Sequence, residues 1–119
     1  MTIQELIDKV QEEKPNSFDT EKLIEFINEI ESDVAEQLSD DFDPYTTDDL
    51  QEELIVRYPY DRLYVSYLKA QIDYANEEYP SYQLNADQHG VDFTDFLNWI
   101  VRTGQTDRSL LPSRFRNVF

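Results

Sequence analysis

The chain contains no cysteine, which excludes disulfides and thiolate metal sites and suits a reducing compartment. Only two glycines occur, too few for a β-fold built on many tight turns. No apolar run approaches the ~20 residues of a membrane span. The opening Met1-Thr2-Ile3-Gln4-Glu5 has no secretory-signal character, so a soluble chain made and kept inside the cell is expected. Basic residues are scarce as well, with 10 Lys and Arg against 26 Asp and Glu, a net charge of −16. Such a surface repels DNA, RNA and anionic lipid, because phosphate is neutralised by Lys and Arg.

What is present is enough for one core. Hydrophobic residues make up 39% of the 119 positions and aromatics 13%, too rich for a disordered chain. A domain of this length buries roughly 65% of its unfolded surface. The charge is uneven: residues 102–119 hold Arg102, Arg108, Arg114 and Arg116 against Asp107, a net of +3, which leaves −19 on residues 1–101. An acidic body and a basic, aromatic-tipped tail are able to dock on one another between copies. Acid that merely keeps a small protein in solution, with a frayed end, is the plainer alternative.

The apolar spacing predicts an all-α, single-domain bundle of four main helices. The first runs from Thr2 to Glu13, with Thr2 and Glu5 in a capping-box pattern and Ile3, Leu6, Ile7 and Val10 on one face. Lys14-Pro15-Asn16 ends it. The second starts at Asp19 or Thr20 and runs to Leu38. Leu23, Ile24, Ile27, Ile30, Val34 and Leu38 form its apolar stripe, and Glu25, Glu29, Glu31 and Glu36 fall off it. Phe18 is placed to staple onto Leu23 or Ile24. Residues 39–53 form an acidic loop, and Leu54-Ile55-Val56 reads as a short extended segment or strand.

The third helix is expected from Pro59 to Glu78, with proline in its first turn. Leu63, Tyr67, Ala70 and Tyr74 make one stripe and Tyr64, Leu68, Ile72 and Ala75 a second, so this helix is central in the bundle or shared between subunits. Its tyrosines combine an apolar body with a polar tip, which suits surfaces buried only part of the time. The fourth helix is expected from Pro80 to Thr103, with a kink or a close helix contact at Gly90 and a C-cap at Gly104. The segment 105–119 follows as an extended tail.

Catalytic groups are thin. The single histidine, His89, lies on the apolar face of the fourth helix and reads as a packed core or interface residue rather than a general base. No phosphate-cradling glycine loop, nucleophile elbow or paired-histidine motif occurs. The one metal-like pattern sets Asp41, Asp43, Tyr45, Thr47, Asp49 and Glu52 in an EF-hand register, but Thr46 stands where the turn needs glycine and Pro44 stiffens the middle. A solvated acidic loop is the better reading, and no cofactor or metal is expected. Trp99, beside Phe96 and Arg102, is either an interface anchor or a cap on the core.

Three segments carry a resemblance. Leu54-Ile55-Val56, then Pro59-Tyr60-Asp61-Arg62-Leu63-Tyr64 through Glu78, is similar to the middle of the small head–tail connector proteins of tailed bacteriophages and Firmicute prophages. Glu21-Lys22-Leu23-Ile24-Glu25-Phe26-Ile27-Asn28-Glu29-Ile30-Glu31 and Phe93-Thr94-Asp95-Phe96-Leu97-Asn98-Trp99 to Thr103 resemble the same group, in the same order. This chain departs from the pattern at Arg57-Tyr58-Pro59, where a small apolar residue and a second proline are usual. The resemblance implies a non-catalytic helical protein that forms a ring beneath the portal of a DNA-filled capsid, extends the DNA channel and receives the next connector or a tail-completion protein. It implies a place in the virion at the head–tail junction, reached from the host cytoplasm. DNA passes without specific binding, and no membrane is involved. Tyr60, Tyr64, Tyr67 and Trp99 are then candidates for bundle and subunit packing, and Arg108, Arg114, Phe115, Arg116 and Phe119 for tail docking. The rival readings are an acidic regulator or DNA mimic that binds a basic host partner, and a metal-dependent enzyme using the carboxylates of 41–52.

Overall fold

The computed structural model describes residues 1–104; the expected tail at 105–119, and the docking residues placed on it, lie outside the described residues. Four helices make the body: α1 (Ile3–Glu13), α2 (Thr20–Leu38), α3 (Arg62–Ala75) and α4 (Tyr79–Trp99), the last continued by a π-helical turn Ile100–Gly104. The all-α bundle expected from the spacing is therefore the fold. None of these helices is long and apolar enough to cross a membrane.

Local chemistry starts α1, α2 and α4 close to where the sequence asks. Thr2 and Glu5 close a reciprocal capping box, the Glu5 N–H bonding Thr2 Oγ1 at 3.1 Å and the Thr2 N–H bonding Glu5 Oε1 at 3.0 Å. Asp19 caps α2 by accepting from the Lys22 N–H at 2.8 Å. Phe18 meets the ring of Phe26 edge-on at 6.1 Å and packs against the core cluster that holds Leu23 and Ile24. Proline opens α4 in its first turn.

The core is one cluster that joins Ile3, Leu6 and Val10 of α1, Leu23, Ile27, Ile30 and Val34 of α2, Leu63, Tyr64, Leu68 and Ile72 of α3, and Phe96 and Ile100 at the end of α4. Helix α3 lies at its centre. Its buried residues run Leu63-Tyr64-Val65-Ser66 and on to Leu68, Ala70, Ile72 and Asp73, which leaves little of its girth to solvent.

Four boundaries differ from the sequence reading. Pro59 does not sit inside α3: it follows a cis Tyr58–Pro59 bond in a turn closed by the Tyr60 N–H on Arg57 O at 3.0 Å, and the helix begins at Arg62. At the other end α3 stops at Ala75, because Glu77 turns left-handed at φ 59° and the Glu78 N–H reaches back to Asp73 O at 2.9 Å. The Leu54–Val56 segment forms no strand. Instead Glu53 makes an isolated antiparallel bridge with Thr2, and the Leu54 N–H bonds Met1 O at 3.0 Å, so the segment seals the start of α1. The acidic loop is also less open than expected, since Thr47–Asp49 form a 3-10 turn boxed by Thr46 and Asp49.

Gly90 was expected at a kink or a close contact. Helix α4 runs unbroken through it, and a Cβ there would meet nothing within 4 Å. Glycine brings only its entropic cost at this exposed, right-handed position. Gly90→Ala is therefore expected to raise the unfolding free energy by up to ~1 kcal/mol, read from the urea midpoint at unchanged m-value.

Candidate interaction surface

The four residues singled out for packing occupy three different environments. Tyr60 and Trp99 meet at the α3–α4 end of the body, their rings tilted by 34° with centroids 5.6 Å apart, and Trp99 stacks in turn on buried Phe96 at 6.3 Å. Arg102 donates to the Tyr60 hydroxyl at 2.9 Å. This half-buried pair packs against the end of the core and keeps part of its surface in solvent.

Tyr64 is fully buried, and its hydroxyl donates to Glu31 Oε1 at 2.5 Å while accepting from the Val56 N–H at 2.9 Å. Glu31 overturns its placement off the α2 stripe: it is 0% exposed. It stands four residues after Ile27 and three before Val34, on the buried face. The charge is tolerated because Tyr64, the Tyr45 hydroxyl at 2.7 Å and the Ile55 N–H at 3.0 Å all donate to it. Burial pushes the Glu31 carboxyl above its ordinary value of 4.5, against the lowering effect of these three donors. Burial, with the neighbouring carboxylate, also pushes both tyrosine hydroxyls well above their ordinary range. Two consequences reach the surface. Tyr64 faces inward, and Tyr45 is drawn out of the EF-hand register it shares with Asp43 and Thr47. Asp49 turns to the Thr46 N–H at 2.7 Å, so the register's oxygens diverge. Among the described residues no group of three His, Cys, Asp or Glu converges as a metal cage.

Tyr67 is half-buried on the α2–α4 side. Its hydroxyl leans on Glu29 at 3.4 Å and its ring takes the edge of His89 at 5.2 Å. His89 Nδ1 lies 3.0 Å from the Leu63 carbonyl, which can only accept, so Nδ1 carries the proton. Burial holds the imidazole below its ordinary pKa, despite that bond and the carboxylates of Asp92 and Asp33. A neutral histidine packed between Tyr67 and Phe93 does structural work here, in line with its apolar position.

Sequence reasoning missed a second polar centre. Asp73 of α3 is fully buried and accepts from Lys14 Nζ, from Ser81 Oγ at 2.7 Å and from Asn85 Nδ2 at 2.7 Å, tying the end of α1 to both α3 and α4. Burial pushes its carboxyl up, yet the three donors together outweigh that and hold it below the ordinary value of 3.8. The available signal was Lys14 directly after α1, where a cation is expected to meet helix carbonyls but here reaches a carboxylate instead.

Between α1, α3 and α4 opens a cleft of ≈520 Å³ whose walls include Lys9, Arg62, Val65, Lys69, Asn85 and Gln88. Its cations are already balanced: Lys69 pairs with Glu13 at 3.4 Å, Lys9 with the same carboxylate at 3.8 Å, and Arg62 with Asp95 at 3.0 Å. Tyr58 stands 86% exposed at the rim. Comparison with known protein families, curated proteins and solved structures finds no match for this chain.

The Glu31 centre yields a signed pH test. Its folded pKa lies above 4.5, so the protonated form favours folding; that contribution is complete below 4.5 and is lost as pH rises through the folded pKa. The stability of the wild type relative to Glu31→Gln is expected to fall as pH is raised above 4.5, measured by urea unfolding across a pH series. A difference that stays flat would show that the group titrates as in the open chain. In the same assay Tyr64→Phe, which also strands the Val56 N–H, is expected to cost ~2–3 kcal/mol, more than Tyr45→Phe.

Proposed function

We propose that this chain is a structural assembly protein, a head–tail connector that forms a ring below the portal of a DNA-filled capsid and hands the channel on to the next connector or tail component. The observation that carries this reading is the division of the chain into an acidic, self-satisfied helical body and a basic, aromatic C-terminal segment. The body carries −19 over residues 1–101, and no buried side-chain polar atom among the described residues lacks a partner. Its buried carboxylates Glu31, Asp73 and Asp92, and half-buried His89, are engaged by neighbouring donors and acceptors of the fold.

A ring needs a heterologous interface, one patch meeting a different patch on the next copy. The acidic body and a tail bearing Arg108, Arg114 and Arg116 with Phe115 and Phe119 are such a pair. Tyr60 and Trp99, at the end of the body from which that tail departs, are the aromatic anchors best placed to be covered by a neighbour. An acidic wall around a channel keeps DNA from sticking, because phosphate meets like charge. The resemblance of the helix-two, helix-three and helix-four segments to connector proteins supports the same reading. The net charge of −16 also favours a second one, an acidic regulator or DNA mimic bound to a basic host protein.

Electron microscopy of the protein mixed with its own portal separates the two. Complementary rings are expected with the wild type and their loss with Arg114→Glu/Arg116→Glu. Absence of any ring on the portal, together with a tight complex with a basic host protein, would replace the connector reading by the regulator.

A further inference from the structure

Five large apolar side chains are conspicuously exposed among the described residues, and four of them, Tyr74, Tyr79, Leu84 and Val91, stand at the α3–α4 corner or along α4. Helix α4 packs chiefly against α3, and only Asp92 and Phe96 of its residues are buried. On its far side Pro80, Leu84, Asp87, Val91, Thr94 and Asn98 follow one another at three- and four-residue steps, and every one is exposed. Leu84 is 73% and Val91 56% accessible, with bare Gly90 beside the row. Scattered apolar residues on a surface are ordinary, but two on one helical row beside a glycine form a strip. The charge carried by this stretch of chain has one sign, since residues 70–101 hold six Asp and Glu and no Lys or Arg, although Arg62 of α3 pairs with Asp92 and Asp95.

We propose that this strip is the docking site of the chain's own C-terminal segment, residues 105–119. Reach favours it. The segment begins where the π-turn ends at Gly104. From there Val91 lies ~20 Å and Leu84 ~30 Å back along the helix at 1.5 Å per residue, whereas fifteen residues extend to ~50 Å. Chemistry favours it as well. Leu111, Phe115 and Val118 recur at the same three- and four-residue spacing as the strip, and Arg108, Arg114 and Arg116 are opposite in charge to Asp87, Glu77 and Glu78. The covalent tether selects this occupant over a second copy, because a short linker holds its end at an effective concentration in the ~mM range. Covering its own α4 keeps the apolar strip and the basic segment of a free chain from meeting other molecules. The contact concerns the single chain and stands whether or not the ring reading does.

Trypsin tests it on the full-length protein, with cleavage after Arg114 and Arg116 followed by mass spectrometry over a dilution series. Slow cleavage, independent of protein concentration, is expected for the wild type. Leu84→Asp/Val91→Asp changes two exposed side chains, so the fold is retained, and circular dichroism checks this. The variant is expected to be cut about tenfold faster, the equivalent of ~1.4 kcal/mol of lost docking. Equal rates in the two proteins would overturn the proposal. Protection that disappears on dilution would overturn it too, and would assign the strip to a second copy.

Discussion

Glu31 has no contact with solvent, and it gathers donors from three separate stretches of chain: the Tyr45 hydroxyl from the acidic loop, the Ile55 amide from the segment before α3, and the Tyr64 hydroxyl from α3 itself. Breaking such a centre on one side strands a buried charge, which costs more than the bonds themselves contribute. The rest of the fold is arranged around that constraint. The long connection between α2 and α3 has no room to slide, because its Tyr45 and Ile55 are pinned to the same carboxylate. Helix α3 is fixed in rotation because Tyr64 must face α2, and that choice turns Tyr67 toward His89 and α4.

Asp73 makes the complementary constraint from the other side of α3. It collects Lys14, Ser81 and Asn85, so one carboxylate sets the spacing of α1, α3 and α4. The two carboxylates respond to burial in opposite net directions. Glu31 has three donors, yet its desolvation prevails; Asp73 has a cation among its donors and is held ionised. One chain with a net charge of −16 thus buries three of its acids, Glu31, Asp73 and Asp92, the first two specifying how helices meet, and leaves most of the others on the surface.

Helix content and most helix starts were legible because they depend on neighbours in sequence. The Thr2–Glu5 box, the Asp19 cap and the Pro80 start are contacts of two to four residues. The ends of α3 were not legible. Pro59 reads as an N1 proline on its own, but the Tyr60 amide is taken by Arg57 in a turn, and Glu77 reverses the chain before Tyr79. Glu31 was misread for a related reason. Its type argues for solvent while its position, four after Ile27, argues for the core, and only donors 14, 24 and 33 residues away decide between them. For the candidate surface, the sequence singled out Tyr60 and Trp99 but not that their rings meet, and it listed Tyr64 beside them although that hydroxyl is consumed inside.

By itself the sequence determined an all-helical single core, the sign and unevenness of the charge, and the aromatic character of α3, since these follow from composition and from periods of three to four residues. Tertiary structure alone decided which acids are structural, which tyrosines face inward, and that α4 leaves Leu84 and Val91 uncovered. The physical reason is the range of the forces involved. Caps and apolar stripes are settled within a turn or two of helix, whereas burying a carboxylate is tolerable only when donors from distant segments arrive together.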